Sequence, residues 1–180
     1  MSKKVLIIST SLRKNSNSEA LAKAFADGAL SAGNEVETVS LTGKDIAFCK
    51  GCLACQNLGH CIIRDDALEI TEKMKNAEVI AFATPIYYYE MSGQMKTLLD
   101  RANSLFSSDY KFRDIYFLST AADNEDDVDE RALHGLDGWI ACYEKCKLAG
   151  KIFAGGVNAP GEINGHPALK EAYDMGAKIK

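Results

Sequence analysis

The sequence predicts a three-layer α/β fold with a doubly wound parallel sheet, and three observations carry that expectation. Short unbroken apolar runs recur at Val5-Leu6-Ile7-Ile8, Val79-Ile80-Ala81-Phe82-Ala83 and Ile115-Tyr116-Phe117-Leu118. Runs of this length suit strands buried on both faces. Segments of helical periodicity separate them, so strands alternate with helices. Each run ends in small or hydroxylic residues, as loops at the carboxyl edge of such a sheet do. In all, five strands alternate with five helices, without internal repeat or linker, and the 180 residues are expected to form a single domain over 1–180.

Taken in order, strand 5–8 runs into Ser9-Thr-Ser-Leu-Arg-Lys-Asn-Ser-Asn-Ser18. A helix over Glu19 to Ala32 follows, with Leu21, Ala24, Phe25, Gly28 and Ala32 on one face. Gly33 stands where a helix ends. Glu35 to Leu41 reads as a second strand and Thr42 to Asp45 as a turn. After a cysteine-rich stretch, Asp66 and Glu69 resemble a capping box opening a helix with Ala67, Ile70, Met74 and Ala77 inward. The strand at 79–83 is expected to stop at Pro85, giving a loop from Thr84 to Gly93. Ser92 caps the next helix, whose apolar face is Met95, Leu98, Leu99 and Ala102. Asp123 to Glu130 holds six acids in eight positions and reads as a solvated first turn complementing a helix dipole. That helix buries Ala132, Leu136, Trp139, Ile140 and Tyr143, and Cys142 and Cys146 read as packed thiols. The last strand takes Ile152 to Ala154 and Val157, with Gly155-Gly156 inside it implying a bulge or a close backbone approach. Asn158 to Gly165 is loop, and Pro167 opens a closing helix with Leu169, Ala172, Tyr173 and Gly176 inward. The three histidines show no ligand spacing.

Composition narrows the function classes. The net charge is -4 with no basic patch, which argues against nucleic acid. No apolar run approaches the ~18 residues of a membrane span, and the one behind Lys3 and Lys4 is too short for a signal peptide. A cytoplasmic protein is expected, so the six cysteines read as thiols, ligands or redox groups.

Three stretches carry chemistry. Ser9 to Ser18 is a strand-to-helix turn of hydroxyls, amides and one guanidinium. Such a turn suits a phosphate at a helix N-terminus, closed by Ser and Thr hydroxyls and Arg13. The plainer alternative is a cluster of helix caps at Asn15, Ser16, Asn17 or Ser18. No dinucleotide or P-loop glycine pattern is present, which favours a mononucleotide phosphomonoester. Cys49, Cys52, Cys55 and Cys61 form a C-x2-C-x2-C-x5-C run. That compact spacing lets one loop wrap an iron–sulfur cubane; zinc fits less well, and a metal-free loop of packed or redox-active thiols is the alternative. Tyr87-Tyr88-Tyr89 cannot all enter one core, so some rings face a groove or a subunit interface. In a flavodoxin-like strand order the first and third strands end at the same crevice, which brings the hydroxyl turn and the tyrosine loop together, bordered by Ser119 to Ala121.

On these residues the chain resembles the flavodoxin-like NAD(P)H-dependent FMN reductases, and among them the iron–sulfur flavoproteins. The resemblance rests on Ser11-Leu-Arg-Lys-Asn-Ser-Asn-Ser18, the cysteine run followed by Asp65-Asp66, Thr84-Pro-Ile-Tyr87 leading into Ser92-Gly-Gln-Met-Lys96, and Gly165-His-Pro-Ala-Leu169. Leu12 stands where many relatives carry proline. The resemblance implies a flavodoxin-like three-layer sandwich with a five-stranded parallel sheet, FMN as cofactor and NAD(P)H as electron donor. It implies that Ser11, Arg13, Ser16, Asn17 and Ser18 hold the phosphate. Pro85, Ile86, Tyr87, Tyr88, Ser119, Thr120 and Ala121 would border the isoalloxazine. No side-chain catalyst is required. The acceptor would be a quinone, free flavin, azo or nitro compound, or a redox protein, and the chain would form homodimers or homotetramers. The alternative is an electron carrier with a [4Fe-4S] cluster on Cys49, Cys52, Cys55 and Cys61.

Overall fold

The computed structural model describes residues 2–180. Its sheet has the strand order β2-β1-β3-β5-β6, all parallel, from β1 (Lys4–Ser9), β2 (Glu35–Ser40), β3 (Val79–Tyr87), β5 (Asp114–Thr120) and β6 (Lys147–Ala154). A short β4 (Glu90–Met91) folds back antiparallel on β3. The central strands are buried on both faces, as their unbroken apolar runs require.

Helices cover both faces. One apolar cluster unites the sheet with α1 (Asn17–Ser31) and α6 (Pro167–Gly176) through Leu21, Phe25 and Ala172. The other unites it with α3 (Ala67–Asn76), α4 (Gly93–Arg101) and α5 (Glu130–Ile140) through Ile70, Leu98 and Leu136. Helices α1 and α6 touch backbone to backbone. A Cβ on Gly28 would stand 2.0 Å from the Tyr173 carbonyl oxygen, and one on Gly176 would stand 2.2 Å from that of Phe25. A 3₁₀ turn (Ala102–Leu105) extends α4, and a five-residue α2 (Ala54–Leu58) sits inside the cysteine stretch.

Several local expectations are corrected. Pro85 does not stop β3, which continues to Tyr87 and pairs with Thr120. The Ala83 carbonyl points toward β1, where it accepts from the Thr10 N–H, so Pro85 faces the same side, one step beyond the end of β1. No ladder donor is required there. The loop expected over 84–93 is instead a tight hairpin. Tyr87 pairs with Glu90, while Tyr88 and Tyr89 form the turn with φ of 52° and 66°. The capping box at Asp66 does not form. Asp66 accepts from the Asp45 N–H and Lys44, and it is Asp65 that receives the Ala67 N–H. Strand β6 ends at Ala154, so Gly155, Gly156 and Val157 lie beyond it. The close approach expected of the glycines is present: a Cβ on Gly155 would stand 2.7 Å from Asn124 Oδ1. Asp129 is not solvated. It is fully buried and accepts the Ser119 hydroxyl at 2.6 Å.

Candidate functional site

At the carboxyl edge of the sheet, the ends of β1, β3 and β5 and the loop after β6 enclose a solvent-open crevice of about 140 Å³. It is lined by Ser11, Arg13, Ser16, Asn17 and Ser18 from the first turn, Pro85, Ile86 and Tyr87 from β3, and Thr120 and Ala121 at the end of β5. The polar turn and the aromatic hairpin therefore meet, as the strand order requires. Two expected members do not line it. Ser119 points to the other side of the strand, where its hydroxyl is spent on Asp129 and the Ile152 carbonyl. Tyr88 stands almost wholly in solvent at the hairpin tip. Ala122, Val157 and Asn158 line the crevice without having been expected there.

Within the turn the work is divided between neighbours. Ser16 is the α1 N-cap, accepting the Glu19 N–H at 3.1 Å. Asn17 spends its side chain on the loop after β6, donating to the Ala159 carbonyl at 3.0 Å and accepting from the Gly161 and Ile163 N–H groups. Arg13 reaches across to the same loop, with Nη1 donating to the Asn158 carbonyl at 2.6 Å. Glu162 closes that loop by accepting the Asn158 and Ala159 N–H groups, which hold its carboxyl below the ordinary value. Ser11 and Ser18 are buried, yet their hydroxyls have little to do. Ser11 accepts the Arg13 N–H, and Ser18 has only Ser16 at 3.4 Å. Unspent hydroxyl donors, a guanidinium and the start of a long helix make a donor set that suits a phosphomonoester.

Beneath the crevice, Ser92 is buried and accepts the Met95 N–H as the N-cap of α4. Its hydroxyl also meets Thr10 at 2.9 Å and Thr84 at 3.2 Å, so one side chain ties the end of β1, the end of β3 and the start of α4 together. A larger hollow of about 510 Å³ lies toward the amino ends of β1 and β2, lined by Glu35, Glu37, Glu69, Glu72 and Lys73. It is broad and far from the strand ends where such folds hold ligands, so size alone does not select it.

The four cysteines of the loop line a separate, small cavity of about 30 Å³ with Arg101 and Asn103. Cys49 and Cys52 are exposed and Cys55 and Cys61 half-buried, all as free thiols. Asn103 donates to the Cys55 sulfur at 3.2 Å and the Gly51 N–H to that of Cys49 at 3.5 Å. Positive φ at Gly51, Leu53 and Gly59 gives the loop its turns around α2. Among the described residues, no three His, Cys, Asp or Glu side chains gather closely enough for a single metal ion. The thiols share a cavity without converging on one point. No helix is long and apolar enough to cross a membrane among the described residues.

Residues 3–144 match the family described as NADPH-dependent FMN reductase. The chain is 29% identical over 173 residues to an iron–sulfur flavoprotein of Methanosarcina thermophila, covering 96% of this chain and 87% of that protein. It is 38% identical over 102 residues to an iron–sulfur flavoprotein of Methanocaldococcus jannaschii, covering 57% of this chain and about half (53%) of the other. In structure it is similar to an NAD(P)H:quinone oxidoreductase from Methanothermobacter marburgensis, with a TM-score of 0.75, 17% identity and full coverage of both chains. An azoreductase from Bacillus anthracis gives a TM-score of 0.72 at 14% identity, over 99% of this chain and 100% of that one. These structural likenesses speak to the fold.

Proposed function

The chain belongs to the NADPH-dependent FMN reductase family, and from that premise we propose that it is an FMN-dependent oxidoreductase that draws electrons from NAD(P)H. The observation that carries the reading is the crevice where the hydroxyl turn, Arg13 and the β3 hairpin converge. Ser11, Arg13 and Ser18 hold the FMN phosphate. Ser16 and Asn17 keep the turn and the facing loop in place. Pro85, Ile86, Tyr87, Thr120 and Ala121 border the ring at the open mouth. When bound there, FMN would supply the redox chemistry between the nicotinamide donor and an acceptor that is a quinone, a free flavin, an azo or nitro compound, or a redox protein. The residues named here bind and orient, and none acts as acid or base. Exposed Leu12, Phe48 and Tyr88 near the crevice suit a homodimer or homotetramer contact.

A second reading is favoured by the shared cysteine cavity: Cys49, Cys52, Cys55 and Cys61 hold a [4Fe-4S] cluster, and the protein works as an electron carrier. The cavity is about 30 Å³, so uptake asks the exposed arm from Cys49 to Leu53 to open. Absorption spectra of protein purified without oxygen, with iron and sulfide assayed on the same sample and steady-state NAD(P)H oxidation measured beside them, separate the two. Turnover with flavin bands alone supports the reductase. Iron and sulfide in near-equal amounts with almost no turnover support the carrier. Failure to bind FMN refutes both. Arg13→Ala removes a charge-assisted phosphate contact of about 1.5–3 kcal/mol and weakens FMN binding roughly ten- to hundredfold. An unchanged Kd takes Arg13 out of that role.

A further inference from the structure

Arg101 is buried at the carboxyl end of α4, and its side chain has no solvent contact. Its Nη1 donates to the Ala47 carbonyl at 2.8 Å, and its Nη2 donates to the Ile63 carbonyl at 3.2 Å. Both nitrogens bind the Asp65 carboxylate as a fork, with Nη2 at 2.8 Å from Oδ1. Asp65 in turn accepts the Ala47 N–H at 2.9 Å and the Ala67 N–H at 3.1 Å. Ala47 and Ile63 are the two stems of the cysteine loop, one two residues before Cys49 and the other two residues after Cys61. The buried pair therefore holds the loop by its base, touching Ala47 at both its N–H and its carbonyl. Arg101 also lines the cavity that the four thiols share. A lysine could supply the charge there, but only a planar guanidinium can bind a carboxylate with two nitrogens and still reach a carbonyl on each side.

We propose that Arg101 is the positioning residue of the four-cysteine loop: clamped by Asp65, it keeps both stems joined before any cluster is present and turns the positive end of a buried ion pair toward the cavity. The clamp stands on the contacts alone. The charge role rests on the reading that the cavity takes an iron–sulfur cluster. Four thiolates around such a cluster would form an anion, and each added electron would deepen its charge, so the positive end of an ion pair turned toward it favours the reduced form.

The test compares the wild type with Arg101→Lys and with the neutral pair Arg101→Met/Asp65→Leu, which avoids stranding a buried carboxylate. Amide hydrogen exchange over residues 45–66 is followed on cluster-free protein, with FMN binding as the check that the fold is intact. The same proteins are then reconstituted with ferrous iron and sulfide, and the midpoint potential is read by dye-coupled titration. In the neutral pair, exchange at the loop rises at least about tenfold while FMN affinity stays within about twofold, and the potential becomes more negative. In Arg101→Lys, exchange rises while the potential stays near that of the wild type. Where the neutral pair does not fold, Arg101→Lys alone decides the clamp. Unchanged loop exchange overturns the clamp, and an unmoved potential in the neutral pair overturns the charge role. If the wild type takes up no iron and sulfide, the cluster reading and the charge role fall together, while exchange still decides the clamp.

Discussion

Ser92→Ala tests whether the floor beneath the crevice is held as the hydrogen bonds indicate. The hydroxyl caps α4 at the Met95 N–H, and losing such a cap costs about 1 kcal/mol. It also sits between the Thr10 and Thr84 hydroxyls with no exposure to water. Thr10 keeps its bond to the Ala83 carbonyl, and Thr84 keeps the Ser92 N–H and the Pro85 carbonyl. Neither is orphaned, so the lost contacts add about 1 kcal/mol. The sum is about 2 kcal/mol, or a fall in Tm of about 4–8 °C for a chain of this size. Thermal melts of FMN-free protein read it, with Thr84→Val as the partner of a double-mutant cycle. Because the two side chains share a bond, their effects are non-additive by at least about 0.5 kcal/mol. A fall in Tm below 1 °C, or strictly additive losses, would refute the account of Ser92 as the tie between β1, β3 and α4.

Gly28→Ala places a methyl 2.0 Å from the Tyr173 carbonyl. It should cost several kcal/mol by forcing α1 and α6 apart, seen as a large drop in urea midpoint; a midpoint near the wild type would mean the helices are not in backbone contact. Exchanging Tyr88-Tyr89 for Asn-Gly relieves two tyrosines at positive φ at the cost of the Arg131–Tyr89 contact at 5.5 Å. A net gain of about 1 kcal/mol and a higher Tm are expected. Burial pushes the Cys146 thiol up to about 11, so at pH 8 only about one in a thousand is thiolate. Maleimide labelling followed by peptide mass spectrometry should find exposed Cys142 modified far ahead of Cys146, with the Cys146 rate rising about tenfold per pH unit up to about pH 10. Equal rates at pH 8 would show that Cys146 is not shielded.

The parts of this fold that local pattern determines were legible. Apolar runs on both-face-buried strands leave few arrangements, and the crevice then follows from topology. Ser119 to Ala121 shows where such reading overreaches. Neighbours on a strand tend to face opposite sides, and here Thr120 borders the crevice while Ser119 turns to Asp129 on the other side. Other features had no local signal. A two-residue hairpin turn normally announces itself with Asn-Gly, and two tyrosines gave no such sign. Asn158 enters the crevice because Arg13 donates to its carbonyl and Asn17 to that of the next residue, Ala159, both some 140 residues away in sequence. The capping role and the proposed phosphate role of the first turn fall on different side chains. Ser16 caps and Asn17 braces, which leaves Ser11, Ser18 and Arg13 for a ligand.

Arg101 was the least visible of all, because a cation in the last turn of a helix is ordinary on dipole grounds alone. Its importance lies in where α4 begins and ends. The helix starts at Ser92, tied to Thr10 and Thr84 under the crevice, and stops at Arg101, which grips the stems of the cysteine loop. Its nine residues span about 13 Å. Met95, Leu98 and Leu99 are buried in one apolar cluster, so the helix cannot slide or tilt without disturbing the core. A single rigid element thus sets the distance between the crevice and the cysteine loop. The Ser92 tie under the crevice and the Arg101 grip on the loop stems are therefore held at a fixed separation by the core itself.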